Sequence, residues 1–472
     1  MTLNPELRRN FWLELSAQRL IAMPVVLGLV FWVVALNGSA AAVSSVAVVA
    51  FHLIVYFWGT RRAASAIATE INGGTWDDQR MSPIAAWPMG WGKLLGSTAY
   101  VWYGGAICIS VFLSAHFFHG TLVSSFGVAS VLSLAVSLVL LGLFGHGVAL
   151  ALSLTLLCKQ QSKRRVPVSL CQMAGLAAIY GMSSFLFSEI FVTALPPAAA
   201  LKDFLWFGEK YEFWTFTLAT VIAFVGWAFL ALYRLMQSEL QYQIRPFAWL
   251  GFTVFLMIYG TGLLYERLLS NTVGAYMWLV LPLFVAVFGF YSAFFLAPKN
   301  IVLFRKWLAA VRRQEWVPSW RLTPVWFQSF GLLWLVGAGL IAILFGQDGP
   351  VTSGAQLFGF RLDEISAFYV LAALLFVTRD LIFLLWLNLT GVKGKPDLAG
   401  IIYLLVFYSV LPPLLGFAGG TSLLPIVIPY PTDNFLWAIG PVSLQVFLLV
   451  LLCRRSWSER SPREPVVMEG KV

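Results

Sequence analysis

Only 11% of the 472 residues are charged, so an ionisable side chain outside a loop carries chemical meaning. Arg379 and Asp380 lie side by side within a long apolar run, where an ion costs about 2.5–3.5 kcal/mol to insert at a helix centre. Two uses fit them: contact with a substrate or proton, or a structural task as an interhelical clamp or a snorkelling pair. Helix neighbours point about 100° apart, so each is expected to seek a partner other than the other. His146, in Gly145-His146-Gly147, suits a proton relay or a hydrogen-bonded packing histidine between closely approaching helices. His116 and His119 would bind a metal only with further ligands, and the nearby sequence offers none. Cys108, Cys158, Cys171 and Cys453 lack CxxC spacing, which indicates neither zinc nor a disulfide framework. Trp76-Asp77-Asp78 is the one stretch resembling an acidic catalytic site, and an intramembrane enzyme would need clustered partners for it. The phosphate-cradling Gly-x4-Gly-Lys-[Ser/Thr] string is missing. Trp87 stands where Gly92-Lys93 would need its first glycine, and Leu389 does so before Gly394-Lys395. No cofactor box is indicated.

A different signal is repeated. Arg80-Met81-Ser82-Pro83 and Arg321-Leu322-Thr323-Pro324 each sit in a basic loop after the second hydrophobic span of a half. Two copies of one polar string in an apolar chain imply two copies of one working surface.

The elements that position these residues follow from composition. Hydrophobic residues make up 60% of the chain and mean hydropathy is +0.82, values of a polytopic membrane protein. Runs of roughly 20 apolar residues cross a hydrocarbon core as helices, because their backbone groups find no water there. Twelve such runs are expected: 20–37, 41–59, 98–118, 128–157, 168–187, 213–235, 247–265, 275–297, 327–346, 365–389, 399–418 and 435–453. With both termini inside, Lys202, Lys210, Arg267 and Arg361 are the basic residues that fall outside, and Arg379 lies within a span. All other Lys and Arg residues fall inside, as cytoplasmic loops require. The net charge of +10 is thus a topology signal, and its scatter over seven inner segments excludes a nucleic-acid module. The 20 tryptophans mostly mark interfaces. Residues 1–19 lack the pattern of a removable signal peptide, so the first span is expected to direct insertion.

Three landmarks recur in order and suggest an internal duplication, 1–238 and 239–472. Glu14-Leu15-Ser16-Ala17-Gln18-Arg19 matches Glu239-Leu240-Gln241-Tyr242-Gln243-Ile244-Arg245, and each leads to a proline, Pro24 or Pro246. The basic loops 60–96 and 298–326 carry the repeated string. Proline-rich outer stretches, Leu195-Pro196-Pro197 and Ile428-Pro429-Tyr430-Pro431, precede the last span of each half. Six spans per half make the repeats parallel, with a pathway between the halves. Within the loops, Phe304, Trp307, Leu308 and Val311 form one stripe and Arg305, Lys306, Arg312 and Arg313 another, the pattern of an interfacial helix. Ile67 and Ile71 give a weaker stripe. Gly73-Gly74 then ends any helix, and the following turn is expected to present acidic and aromatic side chains to a cytosolic partner.

The run Glu70-Ile71-Asn72-Gly73-Gly74-Thr75-Trp76-Asp77-Asp78-Gln79-Arg80-Met81-Ser82-Pro83, followed by Gly92-Lys93-Leu94-Leu95-Gly96, resembles the inner loop of type 2 ABC transporter permeases. The resemblance implies an amphipathic elbow helix before each six-span unit, a coupling helix in this loop and short outer helices before the last span. It implies an exporter's transmembrane subunit in the cytoplasmic (inner) membrane, two six-span units fused in one chain, with ATP hydrolysis on a separate ABC ATPase present in two copies. The coupling residues it assigns are Glu70, Gly74, Thr75, Trp76, Asp77, Asp78, Arg80, Met81, Ser82 and Pro83. In the second copy they are Glu315, Trp316, Arg321, Leu322, Thr323 and Pro324, without the Gly-Thr pair or the Gly-Lys-Leu string. The alternative is a twelve-span, ion-gradient-driven transporter of the major facilitator kind, whose Gly-x3-Asp-Arg-x-Gly-Arg string is missing between spans two and three. The transported substrate stays open on either reading.

Overall fold

A computed structural model describes residues 4–119, 123–159, 166–192, 203–242, 246–270, 276–299, 301–346, 356–357, 360–361, 366–390, 396–430 and 434–460. Twelve of its helical stretches are long and apolar enough to cross a membrane. The protein is therefore an all-α, multi-pass integral membrane protein. The strands among the described residues form two short antiparallel hairpins, Phe204–Trp206 (β1) with Glu209–Tyr211 (β2), and Gln356–Leu357 (β3) with Phe360–Arg361 (β4).

The chain divides into two compact units. One comprises Met1–Ala248 and Trp316–Arg321, the other Trp249–Glu315 and Leu322–Val472. In the first unit, α1 (Pro5–Glu14) precedes the spans α2 (Ala17–Asn37) and α3 (Ala40–Phe51), which continues through a π-helical turn (His52–Trp58) into α4 (Gly59–Asn72). A short helix α5 (Trp76–Arg80) and α6 (Ala86–Ser97) lead to the spans α7 (Ala99–His119), α8 (Val123–Lys159), α9 (Val168–Val192) and α10 (Phe213–Glu239). The core of this unit runs along α3, α7 and α8, with Phe51, Val55, Tyr56 and Leu141 buried in it. At one end α4, α6, α8 and α10 enclose a second cluster around Ile67, Trp76, Met89 and Met236.

The second unit begins with α11 (Ala248–Ser270) and α12 (Met277–Leu296), followed by α13 (Ile301–Arg312); next along the chain comes α14 (Trp316–Leu322), whose Trp316–Arg321 group with the first unit, and then α15 (Val325–Phe345) resumes the second. Its later spans are α16 (Ala367–Thr390) and α17 (Pro396–Leu405), the latter passing through a π turn (Val406–Val410) into α18 (Leu411–Phe417). A short helix α19 (Leu424–Val427) and the last span α20 (Phe435–Arg460) complete it. Phe290, Phe294, Leu333 and Leu374 form its principal core.

Several expectations need correction. The second span does not stop at residue 59, because one continuous helical stretch runs over Ala40–Asn72. At 1.5 Å per residue this is about 50 Å, well beyond a core of about 30 Å, so Arg61 and Arg62 ride on its projecting end. Ile67 belongs to that extension and is fully buried; it is not the apolar face of a helix lying flat on the bilayer. α1 precedes the first span, and the string Glu14–Arg19 runs from its last residue into α2, which Ser16 caps. On α13 the buried positions are Trp307 and Ala310, whereas Val311 is exposed. Ahead of the last span of the first unit stands the β1–β2 hairpin, and Leu195-Pro196-Pro197 lie outside the described residues, as do Gln243-Ile244-Arg245 and Pro431.

Candidate functional site

The densest polar cluster of the first unit is assembled around Lys93. α1 lies along α6 because two glycines let the helices meet backbone to side chain. A Cβ on Gly92 would stand 2.8 Å from Asn4 Nδ2, and one on Gly96 would stand 2.5 Å from Asn10 Cβ. Asn4 caps α1 by accepting from Glu6 N at 3.1 Å, and its Nδ2 donates to Pro88 O at 2.6 Å. Between the two glycines Lys93 turns inward and is 1% exposed.

An ammonium has three donors and no acceptor, and all three are used. Lys93 Nζ donates to Glu6 Oε1 at 2.9 Å, to Gln79 Oε1 at 2.5 Å and to Glu70. Glu6 also accepts from Arg9 at 3.0 Å and from Asn10 Nδ2 at 3.0 Å, and Arg9 reaches Glu70 as well. The Trp76 ring centre lies 5.1 Å from Lys93 Nζ, a cation–π contact in a desolvated setting. Two carboxylates thus face two cations, the condition under which buried charge is tolerated. Burial pushes the Glu6 carboxyl up, but Lys93 and Arg9 outweigh it and hold it below its ordinary value. The same partners raise Arg9 against the lowering effect of its burial.

The four anchoring residues come from four segments: Glu6 from α1, Glu70 from the end of α4, Gln79 from α5 and Lys93 from α6. The loop they pin begins with a Schellman cap. Thr75 N donates to Glu70 O at 3.0 Å and Gly74 N to Ile71 O at 3.1 Å, with Gly74 at φ 71°. Arg80 braces the other end, donating from Nε to Glu239 O at 3.1 Å and from Nη1 to Asp77 Oδ1 at 3.4 Å. Ser82 Oγ donates to Gln79 O at 2.6 Å. The outward face consists of Gly74, Thr75, Asp77, Asp78, Met81 and Pro83, with Met81 78% exposed. Two sequence expectations are overturned. Trp76 is buried, 1% exposed, so the turn does not offer an aromatic ring to a partner, and Glu70 points into the ionic cluster.

The second loop repeats the backbone and changes the side chains. Glu315 N donates to Ala310 O at 3.0 Å and Gln314 N to Val311 O at 3.1 Å, with Gln314 at φ 59°. The cap places Arg313-Gln314-Glu315-Trp316 in register with Gly73-Gly74-Thr75-Trp76, a correspondence hidden in the sequence because glutamine stands where glycine was expected. Here Ala310 takes the position of Glu70, and Trp316 is 69% exposed. Glu315 and Arg321 are exposed, while Leu322, Thr323 and Pro324 are half-buried, Pro324 serving as the N-cap of α15.

Within the second unit, Arg379 and Asp380 do pair with each other, contrary to expectation. The arginine side chain folds back along the helix, so that Nη2 and Nε lie 2.7 and 3.0 Å from Asp380 Oδ1. The backbone angle between neighbours was a poor guide because four methylene-length bonds separate the guanidinium from its Cα. Asp380 Oδ2 accepts from Tyr291 and Tyr408 hydroxyls, both at 2.7 Å. Arg379 Nη1 donates to Gln445 Oε1 at 3.2 Å and Val427 O at 3.4 Å, and Phe376 stacks 4.6 Å from the guanidinium carbon. These bonds join α12, α16, the π turn after α17, the end of α19 and α20, which is the geometry of an interhelical clamp.

His146 packs in the same way. Its Nε2 stands 2.8 Å from Val55 O, inside the π turn; a carbonyl only accepts, so the proton is on Nε2. His116 Nε2 meets Ser44 Oγ at 2.6 Å, and the side chain of His119 lies outside the described residues. Among the described residues no group of three or more His, Cys, Asp or Glu is placed to hold a metal, and the four cysteines are free thiols. No protein-family model, curated protein or solved structure matches the chain.

Three outcomes follow from these geometries. Lys93→Met, which leaves Glu6 and Glu70 with Arg9 as the one cation bonded to both, is expected to cost about 3 kcal/mol, and Glu6→Gln less, since an amide still accepts. Glu6 has a folded pKa below its ordinary 4.5. Its contribution is therefore complete above that value and lost as pH falls through the lowered one. Melting temperatures of wild type and Glu6→Gln should converge on acidification; a gap that widens would contradict the assignment. In the clamp, Asp380→Asn should destabilise by about 3–5 kcal/mol by stranding Arg379. The double change Arg379→Met with Asp380→Asn should be the milder, as read by thermal unfolding in detergent.

Proposed function

We propose that this chain is the permease of an ATP-binding-cassette exporter, set in a cytoplasmic membrane with both termini on the cytosolic side. ATP hydrolysis belongs to a separate ATPase chain, two copies of which meet the two loops. The observation that carries this reading is the Lys93 cluster, which makes the loop at 73–83 a stiff handle. A loop that transmits force must not bend under it. Here α5 is tied to the projecting end of α4, to α1 and α6 through Lys93, and to the end of α10 through Arg80. A push on its exposed face moves those helices together. Alternating access then needs only that such a push rock one six-span half against the other.

The reading gives a division of labour consistent with the residues. The permease offers Asp77, Asp78, Met81 and Pro83 outward and keeps its charged anchors inward, while the phosphate-binding loop resides elsewhere. A second reading, an ion-gradient-driven transporter, is favoured by one feature, the carboxylate of Asp380 within a span. Its donors are supplied by Arg379, Tyr291 and Tyr408 of the same chain, which suits a clamp better than a site that exchanges its ion.

The test uses the full-length protein in liposomes with its cognate ATPase, sought in the neighbouring reading frame. Asp77→Lys together with Arg80→Glu should insert normally yet lower stimulated ATP turnover by roughly tenfold, the effect of about 1.4 kcal/mol of lost coupling. Unchanged pull-down and turnover would remove the coupling assignment. Solute movement driven by an ion gradient alone would favour the second reading.

A further inference from the structure

We infer that the second unit holds one anionic phospholipid in a cavity of about 800 Å³ at the membrane face where α12 and α16 end and α15 begins. That volume lies within the range of roughly 300–1,000 Å³ typical of small-ligand sites. The inference rests on the membrane-spanning fold and not on the transport mechanism.

The location argues for a lipid. Residues lining the cavity come from the segment just after α12, from α13, from the turn between α14 and α15 and the first turn of α15, and from the last turns of α16 and α20, so the cavity straddles the level at which acyl chains give way to headgroups. Its wall is overwhelmingly apolar and aromatic, built from Phe304, Trp326, Leu385 and Trp457 among others. Trp326 is in the core, whereas Trp457 is half-buried. Tryptophan at this depth suits a ligand that is apolar at one end and wet at the other.

The charge argues for an anionic headgroup. Lys299 and Arg454 both line the cavity, and α13, which forms one wall, carries Arg305 and Lys306 on its remaining surface. Lys299 shares its charge with Asp397 and sits 4.3 Å from the Phe294 ring centre; Arg454 is exposed at the rim. The start of α15, whose N-cap Pro324 supplies no side-chain hydrogen bond, adds its positive dipole end beside Val325 and Trp326, both in the lining, a further attraction for a phosphate. A cationic rim on an apolar cavity complements a phosphodiester with two acyl chains. A zwitterionic lipid supplies the same chains, but its own ammonium opposes the rim.

The experiment is native mass spectrometry on the full chain, delipidated in detergent and then titrated. The probes are phosphatidylglycerol, phosphatidylcholine of the same chains, and glycerol phosphate. One phosphatidylglycerol should be retained per chain, with phosphatidylcholine weaker by about tenfold and glycerol phosphate not retained. Arg454→Glu should weaken phosphatidylglycerol by about tenfold or more, the loss of a charge-assisted contact. Arg455→Glu, at an exposed neighbour outside the lining, is the matched control and should leave retention unchanged. Cys453→Trp, which fills the cavity, should abolish retention while Arg454→Glu keeps the wild-type melting temperature and so certifies the fold. Equal retention of both lipids, or retention indifferent to Arg454→Glu and Cys453→Trp, overturns the site. Retention of glycerol phosphate alone overturns the lipid assignment in favour of a soluble phosphate compound.

Discussion

Burying the ammonium of Lys93 constrains the first unit more than any other single contact. Removing one such ion from water costs several kcal/mol even after relaxation, and the cost is offset only if every donor finds an acceptor at short range. Glu6, Glu70 and Gln79 provide those acceptors, and they lie 87, 23 and 14 residues away along the chain. Any motion that separates α1, α4, α5 and α6 must therefore expose or orphan a charge. The small residues follow from the same need. Without Gly92 and Gly96 beside it, Lys93 would be held too far from α1 for Glu6 to reach it.

The second unit carries a comparable burden at another depth. Arg379 and Asp380 sit near the middle of α16, where water offers no help, and aromatic hydroxyls and backbone carbonyls take its place. The end of α19 exposes the Val427 carbonyl, which an unbroken helix would have kept to itself, and the π turn after α17 places the Tyr408 hydroxyl against the pair. The first unit shows the same economy, its π turn leaving Val55 O for His146 and Tyr56 hydroxyl for Leu138 O. Both units thus bond a polar side chain of a central span to an irregular turn in another span. They differ in consequence: the clamp of the second unit stabilises its interior, whereas the Lys93 cluster stabilises a projecting loop.

The twelve spans were legible because lipid imposes a length and a polarity that few sequences meet by chance. What hydropathy could not supply was where a helix stops once it leaves the bilayer, and so α4 was read as a separate surface element. Glu6, Arg9, Asn10 and Gln79 escaped notice because their importance lies in contacts between distant segments. A signal was present in retrospect: Glu6, Arg9 and Asn10 share one face of α1 by their spacing, and a lysine between two glycines suggests a charge drawn inward. Asp77 and Arg80, both read from the sequence as members of one loop, are bonded to each other at 3.4 Å. The pairing of Arg379 with Asp380 is invisible to backbone direction alone, because side-chain length decides it.

The two loops share a backbone shape and differ in how that shape is anchored. Both use one cap geometry, with Gly74 and Gln314 left-handed at the same step, although a non-glycine residue there costs roughly 1 kcal/mol. Holding the conformation at that cost implies that the shape of the turn matters in each loop. Yet Glu70 has its counterpart in Ala310, and the ring of Trp76 lies inside while that of Trp316 lies outside. Shape is duplicated and the ionic anchoring is not. A coupling free energy passes only through an element whose position is tied to what it moves, so on the proposed reading the two handles are unequal. On that reading the loop at 73–83 would carry force into α4, α6 and α10, to which it is bonded, while α14 presents an exposed aromatic surface.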